Sequence, residues 1–95
     1  MEYTVIFSAR AIETYDLLFE QILARWGAKK AADFEARVYS LIDIIQQTPL
    51  IYQALTQDES LRRCVVHASC SFLYELKGRN IEIHFFWDNR QEPLL

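Results

Sequence analysis

Apolar positions along the chain change their period twice. "EYTVIF" near the N-terminus is a short β-rich run that stops at Ser8, a residue type suited to cap a helix. From Ala9 the spacing switches: Ile12, Tyr15, Phe19, Ile22 and Trp26 recur at alternating steps of three and four, with Leu18 and Leu23 widening the stripe, until Gly27 supplies a helix-ending residue. The same period restarts at once. Phe34, Val38, Leu41 and Ile45 share a face, with Ile42 beside them, and Thr48-Pro49 mark the stop. With almost no linker between them, the two helices must fold back as an antiparallel hairpin whose apolar stripes turn the same way. Such a stripe requires a sheet to cover it.

Residues 50–60 have no clean period and are expected to form a connecting loop, with room for a short helical turn at Tyr52 to Leu55. Alternation then takes over. "RRCVVH" is separated from "CSFLYELK" by a short turn at Ala68-Ser69, and "KGRN" separates the latter from "IEIHFFW", which reads as consecutive antiparallel hairpins. With Gly78-Arg79 as a two-residue loop, Ile81 faces Leu76, Ile83 faces Tyr74 and Phe85 faces Phe72, all on the core face. The reverse face then carries Ser71, Leu73, Glu75, Glu82, His84 and Phe86, with Glu75 opposite Glu82; half-apolar, it suits an intermittently covered surface. The expected architecture is α+β in the order β-α-α-β-β-β, a helical hairpin packed on one face of a mostly antiparallel four-stranded sheet. One domain spans 1–95, since no boundary or internal repeat is visible.

Composition narrows what such a domain does. Ninety-five residues bury only a modest share of their surface, so a partner that covers part of it is expected. A hydrophobic fraction of 52% with only two glycines and two prolines excludes disorder. The formal charge is -3, both halves are slightly acidic, and no global cationic field exists to draw the chain alone to nucleic acid. Cys64 and Cys70 lack neighbouring ligands and read as reduced structural thiols, with no metal and no cofactor implied. No glycine-rich loop and no nucleophile with an adjacent base points to a stand-alone enzyme. "MEYTVIFSAR" is too short an apolar run for a signal peptide and no segment reaches a membrane span of about 18 apolar residues, so a cytoplasmic location is expected.

Two stretches carry a more specific signal. "LRRCVVHASCSFLYEL", with its basic start, short turn and Tyr near the strand middle, and the ending "IEIHFFWDNRQEP" resemble the RelE/ParE superfamily of bacterial toxins from type II toxin–antitoxin modules, and the likeness in element order spans almost the whole chain. The ending is similar to the close of ParE-type members. The resemblance implies the RelE/ParE-like fold and a cognate antitoxin that wraps a segment over the toxin in a hetero-oligomer. It also implies one of two activities, poisoning of DNA gyrase or ribosome-dependent mRNA cleavage.

Members of the nuclease branch supply lysines and arginines on the sheet and a Tyr or His near the C-terminus. In this chain the outward position after Cys70, where such toxins commonly place an Arg, is Ser71, and only Leu94-Leu95 follow Pro93. The resemblance therefore favours the ParE-like activity, with DNA gyrase as the target, over the RelE-like endoribonuclease. A non-toxic adaptor of the same fold is the further alternative.

No residue is singled out as catalytic. Arg62 and Arg63 are adjacent on a strand, so one points away from the core whatever the register. Arg90 lies just beyond the last strand, near the end of the sheet that carries Ser71. Arg62, Arg63 and Arg90 are the expected functional cationic patch, with His67 and Asn89 in support. Plainer readings stand beside these: His67 as a solvated or cap-like residue at a turn, His84 as a surface residue, Arg62 paired with Glu75 across the hairpin, and Arg90 holding the C-terminal segment ahead of a strand stop at Pro93. For antitoxin contact, "LIYQALTQDES" and exposed helix sides with Tyr39 and Tyr52 are candidates, although either tyrosine can equally fill the core.

Overall fold

The computed structural model describes residues 3–55, 57 and 60–90. Its elements are β1 (Thr4–Phe7), α1 (Ala9–Trp26), α2 (Ala28–Gln47), β2 (Gln53–Ala54), β3 (Leu61–His67), β4 (Cys70–Lys77) and β5 (Asn80–Asp88). The sheet order is β1-β5-β4-β3-β2, with β1 parallel to β5 and the remaining pairs antiparallel. The expected order and class hold, with one addition. Gln53–Ala54 form an edge strand against Arg62 and Arg63, where a connecting loop with room for a helical turn is expected from sequence. No helix among the described residues is long and apolar enough to cross a membrane. The expected strand stop at Pro93 lies outside the described residues, as do Thr56, Asp58 and Glu59 of the connecting segment.

Two residues position the helical hairpin. Ser8 caps α1 by accepting from the Ala11 N–H at 2.9 Å, and its hydroxyl donates to the His84 carbonyl at 2.7 Å, which ties the start of the helix to β5. Gly27 stands alone between the two helices at φ 95°, and its N–H donates to the Leu23 carbonyl. A Cβ there meets nothing within 4 Å, so the requirement for glycine is one of backbone conformation and not of space. Gly27→Ala is expected to cost about 1–3 kcal/mol, the strain of a side chain held in that region, read as a shift in the urea midpoint; an unchanged midpoint would mean that the hairpin turn relaxes.

Phe34, Val38, Leu41, Ile42 and Ile45 of α2 are buried as the sequence predicts, and Ala31 joins them. The stripe on α1 is covered less well: only Ala11 and Leu18 are buried, Tyr15, Phe19 and Ile22 are half-buried, and Ile12 and Trp26 remain 54% and 59% exposed. Tyr39 is also on the surface at 60% exposure, whereas Tyr52 packs against the core.

The β4–β5 register departs from the simple hairpin. Leu76 pairs with Ile81 and Tyr74 with Ile83 as expected, but Leu73 then pairs with Phe85 and Phe72 with Phe86. His84 is the extra residue of a β-bulge, so Phe86, at 3% exposure, enters the core in place of Phe85. The groups around the bulge find partners on the helical layer. The His84 carbonyl accepts from Ser8, and the Phe86 N–H donates to Thr14 Oγ1 at 2.9 Å. Phe86 completes an aromatic series, its ring centroid 5.2 Å from Phe72 and 5.4 Å from Tyr15, which stacks on Phe34 at 5.6 Å.

Candidate functional site

Of the residues proposed from sequence, Arg62 lies deepest. It is buried on the core face opposite Tyr74, and its Nη1 donates to the Leu50 carbonyl at 3.2 Å and the Tyr52 carbonyl at 2.7 Å. The Tyr74 hydroxyl donates to the Pro49 carbonyl at 2.7 Å beside it. Together they fasten the connection after α2 to the sheet. Glu75, the partner expected for Arg62, instead meets His84 Nε2 at 2.9 Å and lies 3.9 Å from Lys77 Nζ. Arg63 points to the opposite face and is half-buried beside Leu73. Arg90 sits past β5, next to the far end of β3, about 16 Å along the strand from Arg62. The three arginines therefore do not form one patch.

What the fold does gather is a cleft at the tip of the helical hairpin, about 760 Å³, between the end of α1, the start of α2, the β3–β4 turn and the residues after β5. His67 and Arg90 belong to it. Asp88 grips Arg90 in a fork, with Arg90 Nε at 3.0 Å and Nη2 at 2.8 Å, and also accepts from the Arg90 N–H at 2.9 Å. These bonds hold the Asp88 carboxyl below its usual range against the opposing effect of burial. His67 is lowered from its ordinary value first by burial and then by the charge of Arg90, with Asp88 opposing, so it is neutral at pH 7. The backbone N–H of Ser69 can only donate, and it donates to His67 Nδ1 at 3.2 Å. That bond favours the neutral tautomer with its proton on Nε2, in which His67 Nε2 is a hydrogen-bond donor and Nδ1 is engaged by Ser69.

Asn89 supports the turn and not the cleft: its N–H donates to the Ser69 carbonyl at 2.7 Å and its Nδ2 to the Ser71 hydroxyl at 2.9 Å. Ser71 itself is fully buried. Cys64 and Cys70 are free and buried, and burial pushes both thiols up to about 12, which leaves neither as a nucleophile at neutral pH.

Three cations of the cleft had no place in the sequence reading: Arg25, Lys30 and Arg37. Arg37 is aimed by its Nε donating to the Val66 carbonyl at 3.2 Å. A signal for them existed in the helical spacing. Leu18, Ile22 and Arg25 follow at i, i+4 and i+7 on α1, as do Lys30, Phe34 and Arg37 on α2.

No protein-family model matches the chain, and no curated protein sequence matches it. Solved structures do. A chain of the chromosomal ParDE toxin–antitoxin system from P. aeruginosa superposes with a TM-score of 0.74 at 15% identity, covering 90% of this chain and 95% of that one. The chain has the RelE/ParE fold. The YoeB/ParE toxin from Agrobacterium tumefaciens matches with a TM-score of 0.65 at 15% identity over 90% of this chain and 96% of its own. The RelBE2 toxin–antitoxin complex from Mycobacterium tuberculosis follows with a TM-score of 0.63 at 18% identity, covering 93% and 99%. Both toxin branches named in these structures thus share the RelE/ParE fold with this chain.

Proposed function

We propose that this chain is the toxin of a type II toxin–antitoxin pair, of the ParE-like kind that binds and poisons DNA gyrase in the cytoplasm and is held inactive by a cognate antitoxin. The likeness in fold to the ParDE structure supports the toxin reading. The observation that carries the choice of branch is the state of the residues a nuclease would use. Cleavage beside a ribose 2′-hydroxyl needs a base, free cations and an acid at the same phosphate. Here the Nδ1 of His67 is engaged by Ser69, Arg90 is engaged by Asp88, and Ser71 is a buried hydroxyl bonded to Asn89. A protein that traps another enzyme's cleaved DNA needs a binding surface and no such set. The RelE-like nuclease is the second reading, favoured by the collection of Arg25, Lys30 and Arg37 at one cleft.

Induction of the chain alone in a bacterial host, with viable counts and a DNA-damage reporter read in one culture, separates these. Loss of viability with the reporter on is the expected result. Loss with the reporter silent would move the activity to the ribosome, and unimpaired growth would leave a non-toxic adaptor.

A further inference from the structure

Away from the hairpin tip, a second groove of about 240 Å³ lies between α1 and α2 beside Phe7 of β1. Its apolar lining is Phe7, Ile12, Tyr15, Val38, Tyr39 and Ile42, of which Phe7, Ile12 and Tyr39 are exposed. Each helix contributes a row of side chains to it. Ile12, Asp16 and Glu20 follow at steps of four on α1, and Glu35, Tyr39 and Asp43 do the same on α2. The four carboxylates of these rows are exposed, and none of them enters an ion pair among the described residues. The Tyr15 hydroxyl donates to Glu35 Oε2 at 3.5 Å. Burial first, and Glu35 next, push the Tyr15 phenol up to about 12, so the ring stays uncharged in the floor of the groove. The cations of the hairpin are engaged elsewhere. Arg25, Lys30 and Arg37 belong to the tip cleft, Lys29 lies 3.5 Å from Asp33, and the Arg10 guanidinium lies over the Phe85 ring. An apolar groove with an uncompensated negative rim remains.

We propose that this groove receives a basic segment of the protein that the chain targets. An apolar side chain and the aliphatic stems of Lys or Arg pack on Ile12 and Tyr39, while the charged ends meet Asp16 and Glu35, with Glu20 and Asp43 extending the contact. That the target is DNA gyrase rests on the reading above. A protein that handles DNA presents Lys and Arg around its bound strand, and an acidic face is steered to such a surface while nucleic acid itself is repelled. A second copy of the chain fits less well. Its free cations lie at the tip cleft, so groove and tip would join as unlike surfaces, head to tail, in an assembly with no two-fold closure.

The test titrates the intact chain into labelled peptides read by fluorescence anisotropy: one of Leu and Lys at amphipathic spacing, the same peptide with Glu for Lys, and the same with Ser for Leu. Purified DNA gyrase is the further probe, read by surface plasmon resonance. The expected result is saturable binding of the Leu–Lys peptide and of gyrase, each weakened by about tenfold or more when Asp16→Asn is combined with Glu35→Gln. Both side chains are exposed, so circular dichroism should show an unchanged fold. Equal binding of the Lys and Glu peptides, equal binding of the Leu and Ser peptides, or an unchanged affinity in the double variant would overturn the proposal. Self-association of the chain alone that the double variant loses would place a second copy in the groove and overturn it as well. Gyrase binding that the double variant retains removes the groove and keeps the gyrase reading. Peptide binding that the double variant loses, with no binding of gyrase, keeps the groove and removes gyrase as the partner.

Discussion

Replacing Phe86 with alanine is expected to destabilise the protein by about 3–5 kcal/mol, while Phe85→Ala should cost only about 1 kcal/mol. Phe86 is 3% exposed and its ring contacts Tyr15 and Phe72, so its removal leaves a void between the helical layer and the sheet. Phe85 is on the other face and half-buried. Its contacts are the Arg10 guanidinium, 4.5 Å from the ring centroid, and Trp87 edge-on at 6.4 Å. A regular hairpin without the bulge reverses the two effects, because each residue then occupies the other's face. Urea unfolding of both variants therefore reads the register directly. A larger loss for Phe85→Ala than for Phe86→Ala would mean that the bulge at His84 does not form in solution.

The second large effect is expected at Arg62. Arg62→Ala should lower stability by about 3 kcal/mol, because the carbonyls of Leu50 and Tyr52 lose the charged donor they share and the chain after α2 loses its tie to the sheet. Arg62 Nε has no hydrogen-bond partner among the described residues, so the arrangement carries a desolvation cost, and its benefit lies in holding the chain between α2 and β3. Arg63→Ala, on the opposite face, should stay within about 0.5 kcal/mol. The contrast matters for any functional assay. A growth test of Arg62→Ala reports loss of the folded protein, not loss of a cationic contact, and must be read with a thermal or urea midpoint beside it. Equal, small losses for the two variants would mean that Arg62 is solvated and available to a partner.

Much of the candidate site was within reach of the sequence, but its grouping was not. His67 and Arg90 were named and do share the cleft. The sequence groups Arg62 and Arg63 with Arg90 because one of the adjacent pair must leave the core face and Arg90 follows the last strand, yet Arg62 is the buried member and lies at the opposite end of β3 from Arg90. Arg25, Lys30 and Arg37 escaped because each reads alone as a solvated charge on a helix. Only the closing of the hairpin at Gly27 brings the end of α1 beside the start of α2 and makes one electrostatic surface of them.

Local physics wrote both helices, their stops at Gly27 and Thr48, the cap at Ser8, and the turns at Ala68-Ser69 and Gly78-Arg79 into the order of residues. Each depends on periodicity or on conformational preference within a few positions, so the sequence by itself determined them. The bulge at His84, the buried role of Arg62 and the composition of the cleft depend on partners far along the chain. Phe86 takes its acceptor from Thr14, 72 positions away, and Arg62 finds its acceptors at Leu50 and Tyr52 only once α2 has packed on the sheet. Hydrogen-bond satisfaction of buried groups is a condition on the whole fold, and only the tertiary structure could decide which of several acceptable local pairings met it.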